Sequence, residues 1–137
     1  MRVVTPFRPF APESREHHEL GPFDWWAAIG MLRATVRHQC RCETAVLTDV
    51  DTDPRGPGFQ YHTEHRRLML WILEVSLRYL ESDDFDRDTV MVSPDILVFG
   101  DLRPFFRADL SVIVRASRKF LDSERPLLNS VQWWRVD

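Results

Sequence analysis

Between Thr89 and Phe106 the chain reads TVMVSPDILVFGDLRPFF: two apolar runs separated by Ser93-Pro94-Asp95, the second followed by Gly100-Asp101-Leu102. An apolar run without alternation is the pattern of a strand covered on both faces, as in a parallel sheet. This run breaks at a proline and delivers one carboxylate, Asp95, to the strand end. Ligands of open α/β sheets bind outside the carboxyl ends of their strands. The stretch therefore constrains both the fold and the place of a site.

The rest of the chain supplies alternating partners for such a strand. Residues 1–7 read as a first strand with Val3 and Val4 buried, and the Pro-rich, charged residues 8–22 as a loop. Asp24 is placed to cap a helix whose stripe is Trp25, Ile29, Leu32 and Val36. Thr44 to Thr48 form a short buried strand ending at Asp49. Residues 49–60, with two Pro and two Gly, read as loop. Thr63 to Glu81 is the clearest helix, with Leu68, Ile72, Val75 and Tyr79 on one face and Met69, Leu73 and Leu80 widening it. After an acidic connector at 82–88 come strands at 89–93, 96–99 and 109–115, and a last one in VQWWRV. Strand–helix alternation of this kind predicts one α/β domain over residues 1–137, a mostly parallel sheet flanked by helices.

Composition narrows the function class. At 137 residues the chain suits one domain with a real core. A formal net charge of −3 gives no global reason to bind nucleic acid. The C-terminal third is nonetheless locally basic, with Arg or Lys at 103, 107, 115, 118, 119 and 125. No apolar run approaches the roughly 18 residues of a membrane span. The N-terminus MRVVTPFRPF lacks the apolar region of a secretory signal. Cys40 and Cys42 are too close in sequence to staple a fold, so a reduced, cytoplasmic setting is expected.

Several local patterns are weaker. Asp49, Asp51 and Asp53 alternate as in a calcium loop, but Pro54 and Gln60 stand where that loop needs Gly and Glu. His38, Cys40 and Cys42 lack the spacing and the fourth ligand of a zinc site. His62-Thr63-Glu64-His65 is not the H-E-x-x-H pattern. The five tryptophans fall mostly on expected elements, and the Trp133-Trp134 pair is a candidate homo-oligomer contact.

Over roughly residues 44–134 the order of motifs resembles the nucleotide-binding half of GT-A-type glycosyltransferases, closest to the family 8 group. In that pattern a helix bearing an Arg-Leu pair precedes a strand ending in Asp-x-Asp. An apolar run, Gly-Asp-Leu, an aromatic residue and an Asn-Ser-Gly segment follow. Here the corresponding residues are Arg67-Leu68, Ser93-Pro94-Asp95, Ile96 to Phe99, Gly100-Asp101-Leu102, Phe105 or Phe106, and Asn129-Ser130. Ser93 stands in place of the first Asp. The family continues further, so the resemblance implies a short or truncated Rossmann-like GT-A domain.

It implies hexosyl transfer from a nucleotide diphosphate donor, a UDP-sugar, with Mn2+ or Mg2+ held at Asp95. Arg67 would offset diphosphate charge. Asp95 and Ser93 would fix the donor, Asn129 and Ser130 would meet the sugar, and Asp49 would meet base or ribose. No residue is assigned as catalytic. Asp95 also reads as a turn residue after Pro94, and Asp101 as a turn or cap. Because Ser93 weakens the metal motif, a non-catalytic nucleotide- or protein-binding module is the alternative.

Overall fold

The computed structural model describes residues 1–104 together with the strand residues 115–116, 127–128 and 131–133. Its elements are β1 (Arg2–Pro6), α1 (Arg15–Leu20), α2 (Trp25–Cys40), β2 (Thr44–Asp49), β3 (Gly58–Tyr61), α3 (Leu68–Leu80), β4 (Thr89–Val92), β5 (Arg115–Ala116), β6 (Leu127–Leu128) and β7 (Val131–Trp133). The main sheet runs β3-β2-β1-β4-β7. Its first four strands are parallel, and β7 pairs antiparallel with β4. A separate pair, β5 with β6, is antiparallel. This is an α/β fold.

Both faces of the parallel strands are covered, which explains their unbroken apolar runs. On one face Leu32, Val36 and Cys40 of α2 meet Val3, Val90 and Val92. On the other, Trp71, Val75 and Tyr79 of α3 meet Val4, Ala45, Leu47 and Met91. Successive strand residues such as Val3 and Val4 thus point to opposite helices. Asp24 caps α2 by accepting from Ala27 N, as its position ahead of the Trp25 stripe predicts.

Elsewhere the fold departs from the sequence reading. Within 8–22, the segment Arg15–Leu20 is a short helix capped by Ser14. It buries nothing, so it leaves no apolar period to detect. Residues 58–60, the end of the expected loop 49–60, belong to β3 beside β2. The return loop packs so tightly that a Cβ at Gly58 would lie 2.4 Å from Pro54 Cβ.

Arg33 of α2 clasps this loop, donating to the carbonyls of Pro54, Arg55 and Pro57 at 2.6–3.1 Å. Burial lowers its pKa. A hydrogen bond to a charged group contributes about 1.5–3 kcal/mol, so Arg33→Ala is expected to lose about 2–3 kcal/mol in urea unfolding. A loss below ~0.5 kcal/mol would show that the loop holds itself.

The third helix begins at Leu68 rather than Thr63, because Arg67 is extended. The Glu74 carboxylate reaches back to the amides of Glu64 and His65, and Thr63 accepts from the Trp71 indole at 3.2 Å. The lead-in is thereby held beside the helix instead of continuing it. Trp71 is fully buried, whereas Met69 and Leu73 are 62% and 52% exposed and do not widen the core face.

Ile96–Phe99 is not a strand. This segment folds over α2: the Val98 amide donates to Thr35 Oγ1 at 3.2 Å, and Val98 joins the α2-side core. The sheet position beside β4 belongs to β7 instead. Of the expected strand 109–115, only residue 115 lies in a described element, β5.

Among the described residues, no helix is long and apolar enough to cross a membrane. Both cysteines are free thiols.

Candidate functional site

The connection leaving β1 leads to β2 on one side, while β4 lies on the other side of β1. Neighbouring strands whose connections diverge leave a crevice at their carboxyl ends. Two adjoining clefts open there. The larger, about 670 Å³, is lined by Arg8, Phe10, Ser14, Asp49, Arg66 and Leu68, with Glu13 and Glu16 also on its lining. That volume suits a small-molecule ligand. The smaller, about 150 Å³, is mainly apolar, with Phe7, Phe10, Trp25, Leu68 and Trp71 facing Ser93, Pro94 and Asp95. Arg8, Phe10 and Leu68 border both.

Each charged group is set by the element that carries it. Arg8 follows β1 and Phe7, whose amide extends the β1–β2 ladder to Leu47 O. Its guanidinium lies 4.7 Å from the Trp71 ring centroid, donates to Arg66 O at 2.6 Å and stands 3.8 Å from Asp49 Oδ2. Stacking, a carbonyl and a carboxylate thus fix its orientation. Asp49 ends β2 and accepts from Thr52 Oγ1 at 2.6 Å. Ser93 and Asp95 follow β4 in a turn closed by the Ile96 amide donating to Ser93 O. Ser93 is half-buried and Asp95 exposed.

Asp95 therefore sits in a turn, as its Pro-Asp sequence suggests, and the turn presents it to the crevice. Asp101 accepts from the Arg103 amide at 3.0 Å, the local turn bond expected of it. Arg67 is exposed and borders neither cleft, while its neighbour Arg66 does. Asn129 and Ser130 lie outside the described residues, as do Phe105, Phe106 and Trp134; Trp133 is in the edge strand β7.

Arg8 carries no motif. Its only sequence signal is a cation directly after an apolar first strand, inside a Pro-rich connector.

The lining sets the chemistry. Arg8 and Arg66 face Asp49, Glu13 and Glu16, with Asp95 adjoining. Two guanidiniums offer forked donors suited to phosphate oxygens, yet the acids outnumber them. Among the described residues, no three His, Cys, Asp or Glu side chains group as a metal cage. One carboxylate with diphosphate oxygens is a recognised way to hold Mg2+. Asp95 is the one carboxylate on the lining of the smaller cleft.

Tyr61, pushed up to about 12 chiefly by burial and bonded to Asp84 at 3.0 Å, stays protonated near neutral pH. It is unsuited to general-base work there.

Comparison with protein-family models, curated proteins and solved structures gives no match.

Proposed function

We propose that the chain is a GT-A-like glycosyltransferase domain that binds a nucleotide diphosphate sugar, a UDP-sugar, in this crevice and transfers its hexose. The observation that carries the reading is the placement of Ser93-Pro94-Asp95 at the end of β4, beside the Arg8-bearing end of β1. Arg8 lines the cleft of about 670 Å³, the size of a small-molecule site, and Ser93-Pro94-Asp95 line the smaller apolar cleft that adjoins it.

In this reading the diphosphate lies against Arg8 and Arg66. Phe10 and Trp25 offer aromatic faces to the flatter parts of the donor. Asp95 would hold a divalent ion brought in with the diphosphate, which would supply charge neutralisation. As the bond from anomeric carbon to phosphate weakens, negative charge grows on the departing diphosphate. Arg8, already fixed by Trp71 and Asp49, meets that charge without reorganising.

Ser93 favours a second reading, a module that binds the nucleotide without turnover, because the site keeps one carboxylate of the expected two.

UDP release from UDP-hexoses with added Mn2+, assayed beside calorimetric binding of UDP, separates these readings. Turnover by the pure chain supports the transferase; binding alone supports the module. In either case Asp95→Ala is expected to weaken UDP·Mn2+ binding by about 10–100-fold, the scale of one contact to a charged group. Unchanged affinity removes Asp95 from the site. Failure of the wild-type chain to bind UDP or UDP-hexoses removes the whole proposal.

A further inference from the structure

The larger cleft mixes charges of both signs. Arg8, Asp49 and Arg66 line it from the strand ends and the approach to α3, while Glu13 and Glu16 line it from the strap that leaves β1. The strap is pinned on both sides of these acids. Before them, Phe10 meets Trp25 edge-on at 5.9 Å. After them, the Trp25 indole donates to Leu20 O at 3.0 Å. Between the pins Ser14 caps α1 by accepting from the His17 amide at 3.1 Å, and α1 buries nothing. The course of the chain, and not packing of their own, sets Glu13 and Glu16 on the cleft.

Neighbouring charges do not cancel them. Among the described residues Arg8 pairs with Asp49 and Arg15 with Glu19, and neither Glu13 nor Glu16 takes part in an ion pair. Arg67, His17 and His18 border neither cleft, and Asp95 adds a carboxylate on the adjoining one. Arg66 is left as the cation facing both glutamates. An entering anion gains from the guanidinium forks at contact distance. It is repelled by Glu13 and Glu16 at longer range, and that repulsion grows with its charge.

Transfer raises the charge of the bound anion. The anomeric carbon bonds to the acceptor oxygen, the acceptor proton leaves to solvent, and the bridging oxygen stays on the diphosphate. The terminal phosphate then has a second ionisation, at about pH 6, that the donor lacks. Near neutral pH the product is therefore more negative than the donor by about one charge.

We propose that Glu13 and Glu16 are specificity-determining residues of this crevice: they repel the nucleotide diphosphate product more than the nucleotide diphosphate sugar, and so favour replacement of one by the other. This rests on the UDP-sugar reading of the crevice. The arginines hold the diphosphate common to both ligands, and the glutamates tell the two apart by a repulsive element set against the unwanted one.

Calorimetry in excess Mg2+ with UDP and with its terminal methyl ester tests the proposal, with circular dichroism confirming that the variant is folded. The ester keeps the nucleotide but blocks the added ionisation, and Mg2+ offsets the charge that the two ligands share. The double variant Glu13→Gln, Glu16→Gln is expected to bind UDP about 3–5-fold tighter than the wild-type chain does, and the ester within ~1.5-fold of wild type. At ~0.5 M salt the gain for UDP should shrink to within ~1.5-fold, because salt screens charges that are not in contact. A merely structural effect would move both ligands together and ignore salt. UDP affinity in the variant within ~1.5-fold of wild type at low salt, or an ester that tightens as much as UDP, overturns the inference and leaves the UDP-sugar reading standing. Binding of neither ligand by wild type and variant overturns that reading and this inference with it.

Discussion

Replacing Trp71 with Ala is expected to cost about 3–5 kcal/mol, the range for emptying a buried Trp site. The indole is fully buried. It packs with Val4, Ala45, Leu47, Val75, Tyr79 and Met91, residues drawn from three strands and its own helix. Its Nε1 also donates to Thr63 Oγ1 at 3.2 Å. No neighbour can refill that volume, because the sheet behind it is already close-packed. A domain of this size has about 5–15 kcal/mol in total, so the variant is marginal at physiological temperature. Its thermal midpoint should fall by roughly 10–15 °C. Trp71→Phe keeps the ring and most of the contacts and should lose about 1–2 kcal/mol. A loss below ~1 kcal/mol for Trp71→Ala would mean that α3 is seated on the sheet by something else.

The second large effect concerns ligand binding rather than stability. Arg8→Ala is expected to weaken UDP binding by about 10–100-fold while changing unfolding free energy by only ~1 kcal/mol. Its side chain is mostly shielded, at 20% exposure, and its fixed fork faces the larger cleft. In the free protein it contributes a cation–π contact, a 3.8 Å ion pair with Asp49 and an exposed hydrogen bond to Arg66 O. All are modest terms for a group at the edge of solvent. In the proposed reading its main role is toward the incoming diphosphate. Arg8→Lys keeps the charge but loses the planar fork and the stacking on Trp71, so an intermediate loss of about 5–10-fold is expected. Calorimetry with UDP, paired with urea unfolding of the same variants, separates binding from folding. Affinity within ~2-fold of wild type for Arg8→Ala would place the diphosphate elsewhere.

The parts of this fold that are legible in the sequence are those whose burial leaves a periodic trace. Val3–Val4, Ala45–Leu47 and Val90–Val92 read as strands because helices cover both their faces. The second helix reads from Asp24 and its stripe because its cap and its core face are both local. Ile96–Phe99 is apolar for a different reason: Val98 is fastened onto α2, and Phe99 is 82% exposed. Its composition copies a strand without its pairing. The third strand is hidden because Gly58 packs on Pro54 of its own loop, while Arg33 and Val46, which hold that loop and strand, are apart from it in sequence. The outer leucines of α3 blur which face meets the sheet, so the sequence stripe centres on Leu68 and Ile72 where the structure buries Trp71.

The site divides along the same line. Asp49, Ser93 and Asp95 are legible because each ends or follows an apolar strand, and chain direction places all strand ends of a parallel layer together. Arg8 is not legible. Its importance comes from Trp71, Arg66 and Asp49, brought to it by three separate connections. The arginine bordering the larger cleft is Arg66 rather than Arg67, which is the extended, exposed N-cap residue of α3.

The most direct test of the crevice is a titration of the 15N-labelled chain with UDP and Mg2+, followed by NMR. The account predicts saturable amide shifts confined to Arg8, Phe10, Asp49, Arg66, Ser93 and Asp95, on the elements that border the two clefts. Shifts gathered instead at the amino ends of the strands, around Arg2 and Thr89, would contradict it, as would no shift at millimolar UDP.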